Sequence, residues 1–407
     1  MMSLFRRGKA PAEVSPPAPM PILYFSGKKA LYFTGNTSAA ERDVDLAVLM
    51  HARDHVVRAS EGAGASAAEA AAELRKYLRI VYATEMMAGP RQDKLRFAWR
   101  DSVDAASAGA SGSKKKKAEA KAPAVAQDQQ HTSLETEWSV ALFTLAAELA
   151  HAAAAEDRRG PDGIRRACGA LCDAAGALRA AAAKTRGLSG AQGMCYMTEA
   201  CLAAFESLML AQALECYFEL AVAGGKPPAL CSKIARQISL DYHKVSVMLG
   251  SLEQQQPIDK SWVPLAQAKA VYFHVEASLQ SARSLRELGP GSMGEAVARL
   301  RAAASVLKGA HGKTGPLSKK SPSSSSTAAV RDAAARLQRE VETELAAAEK
   351  DNCQVYFERV LAADMLVELP GLAEPLVRPT VGEKVLREAE GEPLLGAGGA
   401  PTTTTQH

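Results

Sequence analysis

The sequence predicts a mainly α-helical fold, laid out as one elongated domain of stacked helix hairpins. Three observations lead there. Alanine is abundant, aromatic residues make up only 5% of the chain, and β-branched runs are scarce, a balance that favours helix over strand. Apolar residues recur every three or four positions over most of the chain, the period of a helix face. The central helical stretches also follow one another without a long linker. That continuity outweighs the expectation of two or three domains that 407 residues would otherwise carry.

Taken in order, residues 1–20 are proline-rich and basic, a disordered composition. They lack the apolar core of a secretory signal. ILYFSGKKALYF (22–33) reads as strand or extended chain around a Ser-Gly turn, and LRFAWRDS (95–102) as a second extended piece. Between them, Ala39 to Tyr82 is helical with a Gly-Ala-Ser break at 62–66. A low-complexity insertion at about 104–132 carries the run Lys114, Lys115, Lys116, Lys117. It reads as a solvated loop, with weak contact to an acidic membrane surface as the alternative.

The centre is all helix. Leu134, Trp138, Leu142, Leu145 and Leu149 share one face. Leu202, Phe205, Met209, Cys216 and Leu220 continue the pattern, but Leu208, Leu210 and Phe218 fall on other faces, as in a helix buried in the middle of a bundle. The stripe Leu265 to Ala282, a Gly-Pro-Gly break, and the stripe Val297 to Leu307 form a tetratricopeptide-like hairpin. SKKSPSSSST (318–327) is a loop, and Val330 to Ala348 the last long helix. KDNCQVYFERV (350–360) then sets turn-forming residues and two adjacent aromatics after that helix. It is either an active-site loop or the point where the chain turns back along a finished body.

Several function classes are excluded. A formal net charge of +4 is too balanced for a dedicated nucleic-acid binder. No run of 18 apolar residues appears, so nothing is expected to cross a membrane. Seven cysteines without framework spacing read as reduced thiols of a cytoplasmic protein. GPGSMG (289–294) matches a dinucleotide fingerprint literally, yet a helix precedes it where a strand is required, so it is an interhelical turn. Gly312-Lys313-Thr314 lacks the upstream glycine of a phosphate loop, since Leu307 stands there. His51 and His55 share a helix face, but Ala52 replaces the glutamate that zinc peptidases of this spacing use as base, and a surface helix is the reading. Cys168 and Cys172 read as small buried hydrophobes. No catalytic residue, metal ligand or cofactor is assigned, and the chain is not expected to be an enzyme.

Six segments, in order, resemble the BRO-one domain family, the module of Alix-like proteins and rhophilins. They are LRFAWRDS, SLETEWSVALFTLAAELAHAAA, ACGALCDAAGAL, the segment 207–242 with its Met-Leu-x-Gln-Ala-x-Glu core, SWVPLAQAKAVYFHVEASLQSARSL, and KDNCQVYFERV. The later LVELPGLAEPLV resembles the family's closing Leu-Pro element. The similarity runs over about 21–395, leaving 1–20 and 396–407 as tails. One departure is Leu361-Ala-Ala where the family usually has proline after Arg-Val.

The resemblance implies a curved, banana-shaped helical domain with a small β-sheet near its N-terminus. It makes KDNCQVYFERV an architectural turn, with Val355, Tyr356 and Phe357 anchoring the returning chain. It also implies binding rather than turnover: a hydrophobic groove for the C-terminal amphipathic helix of an ESCRT-III core filament subunit, in endosomal and multivesicular-body sorting. Carried over by position, Tyr217 is the groove aromatic, Leu230 and Ile234 its aliphatics, and Asp162 an acidic rim residue. Without the resemblance, Leu230 and Ile234 at that spacing are ordinary core residues. The alternative function is a scaffold of the same fold that binds other peptides. No further domain is expected after residue 395, as in short members of the family. The ending Thr-Thr-Gln-His, with Cys353 the last cysteine, lacks a prenylation box, so membrane contact would fall to the partner or to basic residues such as Arg6, Arg7 and Lys9.

Overall fold

The computed structural model describes residues 19–32, 44–61, 66–87, 96–101, 128–186, 194–312, 315–318 and 325–380. Among these, nine α-helices and three short strands follow in order: β1 (Lys28–Leu31), α1 (Val44–Glu61), α2 (Ala67–Met87), β2 (Phe97–Asp101), β3 (Asp128–His131), α3 (Leu134–Ala155), α4 (Pro161–Thr185), α5 (Glu199–Ala223), α6 (Pro228–Leu252), α7 (Trp262–Leu288), α8 (Met293–Ala310) and α9 (Ser325–Asp351). Each helix packs mainly on its neighbours in sequence. No substantial packing joins α1 and α2 to α8 and α9. This is the stacking of a helical solenoid, as the hairpin pattern predicts.

The sheet is antiparallel in the order β1-β2-β3, with Ala30 opposite Trp99 and Trp99 opposite Gln129. Its third strand is a correction: residues 128–131 fall inside the stretch read as a low-complexity insertion. Period-two alternation cannot be recognised in DQQH, whose side chains are all polar. A fully buried cluster docks the sheet on the helices. Arg53 of α1 pairs with Glu137 of α3 and donates to Leu31 O (2.9 Å) and Ala98 O (2.6 Å). Trp99 Nε1 and Tyr77 Oη donate to the same carboxylate at 2.7 and 2.5 Å. Burial would raise the Glu137 carboxyl, but Arg53, His131 and Tyr77 together hold it down at about 2.

Helices α3 and α5 are the most apolar of the stack. By length and composition both are apolar enough to cross a membrane, even though single polar residues interrupt every long apolar run. In each, 72% of the most apolar window is buried inside the stack, and polar residues such as Glu137, Gln212 and Glu215 have buried partners. All seven cysteines are free.

The segment before β1 is part of the core. Met20, Ile22, Leu23 and Phe25 are all buried, so the expected tail ends before residue 20, at least. Phe25 packs between Phe143 and Phe205, with ring centroids at 5.2 and 4.7 Å.

At the other end, α9 starts at Ser325, two residues before the expected loop ends, and Thr327 is buried. After α9 the chain makes a π-turn over Asn352–Tyr356 and then turns back. The Asn352 side chain donates to Glu358 O (2.9 Å) and accepts from Glu358 N (3.0 Å). The Glu358 carboxylate in turn accepts from Gly291 N (2.5 Å) and Gly294 N (2.8 Å) in the α7–α8 turn, which hold it below its ordinary pKa. GPGSMG is thus the interhelical turn expected, with Gly289 and Gly291 at φ 78° and 92°. A Cβ on Gly294 would lie 2.3 Å from Arg359 O, so the returning chain requires glycine there. Tyr356 anchors the turn, half-buried, but Val355 and Phe357 are 65% and 75% exposed and do not. Phe357 sits in the left-handed region at φ 54°, where the Asn352 clamp aims its side chain outward.

Candidate partner-binding groove

The groove residues lie around the α5–α6 hairpin. Helix α5 begins at Thr198, whose hydroxyl caps Cys201 N at 3.3 Å, and ends where Gly224 N bonds Leu220 O at 2.9 Å. Pro227 and Pro228 then start α6, where the missing N–H costs nothing. Tyr217 is half-buried in the last two turns of α5, and Leu230, 38% exposed, stands in the first turn of α6. The hairpin therefore brings a half-buried aromatic and an exposed aliphatic to the same end of two packed helices.

Ile234 is a correction. It is fully buried in the core. Four residues advance about 40° around a helix of 3.6 residues per turn, and the edge of the buried face falls between Leu230 and Ile234. The outward stripe that continues from Leu230 is Lys233, Gln237 and Leu240. Part of it is covered by the returning chain: Arg236 pairs with Glu368 and donates to Leu369 O (3.3 Å), and Gly371 lies against Gln237 and Leu240. That chain then reaches α4, where Thr380 N donates to Cys172 O at 3.3 Å.

Asp162 is exposed in the first turn of α4 and pairs with Arg165 at 2.6 Å. Four residues earlier, Arg158 bonds Glu219, two residues beyond Tyr217, at 2.9 Å. This ties the α3–α4 turn to the last turns of α5. Burial raises the Glu219 carboxyl to about 7 in spite of Arg158, and among the described residues its Oε2 has no hydrogen-bond partner. Lys114 to Lys117, Arg6, Arg7 and Lys9 lie outside the described residues. Beside the hairpin, a cleft of about 360 Å³ is lined by Pro228, Arg283, Arg286, Glu344, Asp351 and Tyr356. Its charges are engaged in pairs such as Arg283–Glu340 (2.6 Å) and Arg286–Asp351 (3.2 Å). Among the described residues no three His, Cys, Asp or Glu side chains gather as a metal site.

The opposite face of the hairpin holds residues whose role sequence reasoning missed. Gln212 accepts from Leu23 N (2.5 Å) and donates to Leu23 O (3.0 Å), as another strand would. Lys269, fully buried, donates to Pro21 O (2.7 Å) and to Glu215 (2.9 Å), which also accepts from Tyr242 Oη (2.5 Å). Arg158 binds Met20 O. Burial lowers the Lys269 ammonium despite Glu215. The Gln-Ala-x-Glu motif is thus a clamp for the N-terminal segment. Polar residues on a helix otherwise apolar all round were the available signal.

The fold is that of a helical solenoid with a three-stranded sheet at one end and its own N-terminal peptide threaded through the stack. The chain belongs to the BRO1-like domain family, whose model matches residues 30–395. It is 31% identical over 253 residues to the vacuolar-sorting protein BRO1 of Arabidopsis thaliana, covering 62% of this chain and 28% of that protein. It is also 31% identical over 177 residues to human Rhophilin-1, covering 41% of this chain and 25% of the relative. The chain therefore spans about a quarter of the length of these relatives. Among solved structures, the BRO1 domain of the ALIX BRO1 CHMP4C complex superposes with TM-score 0.69 at 20% identity, over 88% of this chain and 95% of that one. A Bro1 domain studied for endosomal targeting superposes with TM-score 0.67 at 14% identity, over 91% and 96%.

Proposed function

We propose that this chain is a non-enzymatic adaptor of endosomal and multivesicular-body sorting, cytoplasmic and peripherally bound to endosomes. It receives the C-terminal amphipathic helix of an ESCRT-III core subunit across the α5–α6 hairpin. Tyr217 and Leu230 are the anchors, Ile234 the floor and Asp162 the acidic rim. The observation that carries the reading is the open Leu230 beside half-buried Tyr217 at one hairpin end, which suits helix-in-groove recognition. It is supported by the likeness to a BRO1 domain solved with CHMP4C and by a relative named for vacuolar sorting. The burial of Ile234, and the returning chain laid against Gln237, favour a second reading, a scaffold of this fold whose narrower groove takes another peptide.

The test is fluorescence anisotropy with a labelled CHMP4C C-terminal helix. Leu230→Asp is expected to lose more than about 2 kcal/mol, or over thirtyfold in affinity, with unchanged circular dichroism. Equal affinity of the two folded proteins would defeat the groove assignment. Failure of both to bind turns the case to the second reading.

A further inference from the structure

Helix α1 carries a pair of side chains that the adaptor reading leaves unused. His51 and His55 are both exposed, one turn apart. Their Nε2 atoms are 3.2 Å apart, and the rings meet edge-on with centroids at 4.7 Å and planes at 89°. Two neutral imidazoles approach this closely through Nε2 when one nitrogen carries a proton and the other offers its lone pair. If the donor ring takes the Nδ1–H tautomer instead, its proton moving to Nδ1 through solvent with no change in net charge, both Nε2 lone pairs are left unprotonated 3.2 Å apart. A metal about 2.0–2.1 Å from each imidazole nitrogen, placed across that 3.2 Å gap, makes an angle of roughly 100–106° with them. That lies near the tetrahedral value.

We propose that His51 and His55 form a two-nitrogen site for a divalent transition-metal ion on the outer face of α1. Water or an outside ligand completes the coordination. The chemistry selects the ion: imidazole suits copper, nickel and zinc, with copper(II) bound most tightly. Magnesium and calcium want oxygen ligands and are refused. Ala52 stands where a metallopeptidase carries its glutamate base, so the site holds an ion without activating its water for hydrolysis. Both rings are reachable from solvent, so loading needs no opening of the fold. The site is independent of the groove.

The experiment titrates the full chain with copper(II), nickel(II), zinc(II) and magnesium by calorimetry, alongside His51→Asn, His55→Asn and the double variant. The double variant supplies the background from the chain's other histidines. One copper ion per chain above that background is expected, with no heat from magnesium. Each single variant removes a direct ligand and should weaken binding by more than the roughly 10–100-fold that outer-shell partners are worth. Copper electron paramagnetic resonance should report two imidazole nitrogens in the native chain. Isotherms equal for native and double-variant protein would overturn the proposal. So would dependence on one histidine alone. Both positions are exposed, so circular dichroism and melting of the metal-free variants should match the native chain.

Discussion

Two extended segments lie across the helices, and they are held in opposite ways. Residues 20–25 run inside the stack, gripped at the backbone by Gln212, Lys269 and Arg158, with Met20, Ile22, Leu23 and Phe25 buried. The returning segment after Phe357 runs over the outside. It is held by Arg236 to Glu368, by Arg299 to Val367 O (3.2 Å) and by Thr380 to Cys172 O, while Met365 and Val367 face solvent. The number of hydrogen bonds is similar. What differs is the partner of the gripping charge: Lys269 and Glu215 are both out of water, whereas Arg236 is buried but its partner Glu368 is 83% exposed. A buried pair cannot lose one partner cheaply, but a rim pair can.

The contrast breaks most visibly at Lys269. Lys269→Met leaves the Glu215 carboxylate buried without its cation and should cost about 3–5 kcal/mol in urea unfolding. Arg236→Ala, on the outer segment, should cost about 1 kcal/mol or less; equal losses would erase the distinction. Within α6 the same logic separates neighbours. Ile234→Ala opens a cavity and should cost about 2–5 kcal/mol, while Leu230→Ala should stay within about 0.5 kcal/mol. Comparable effects at the two would deny that Leu230 is free to meet a partner.

Glu219 sharpens the picture through pH. A carboxyl raised to about 7 when folded, from an ordinary 4.5, keeps its proton longer than in the unfolded chain. Its stabilising effect is full below about 4.5 and is lost as pH rises to about 7. Glu219→Gln should therefore flatten that part of the stability–pH curve, and an unaltered slope would reject the shift. A small effect of opposite sign belongs to Phe357. Glycine there relieves the left-handed strain and should gain at most about 1 kcal/mol, visible as a slightly later melt.

The helices were legible because their signal is local. Stripes such as Leu134 to Leu149 need only one helix and one buried face. The turn at 350–360 was readable from Asp351 and Asn352 for the same reason. β3 was not, since DQQH acquires its strand character from pairing with β2. Of the site, Leu230 is exposed and Tyr217 half-buried. Ile234 is buried, because spacing alone cannot say where on a helix the solvent boundary falls. Val355 and Phe357 were misjudged as anchors since hydrophobicity does not reveal a left-handed turn that points a ring away from the body. The clamp of Gln212, Glu215 and Lys269 joins residues far apart in the chain, and no local pattern announces such a meeting.

That clamp has a consequence for synthesis. Pro21 O waits for Lys269, which is 248 residues downstream. At typical ribosomal rates of about 5–20 residues per second, the delay is roughly 12–50 s. Until then Ile22, Leu23 and Phe25 have no permanent seat, although helix pairs behind them can stack as they emerge. This segment, made 248 residues before its anchor, is thus among the last to be locked, and a chaperone that shelters it would find its longest opening here.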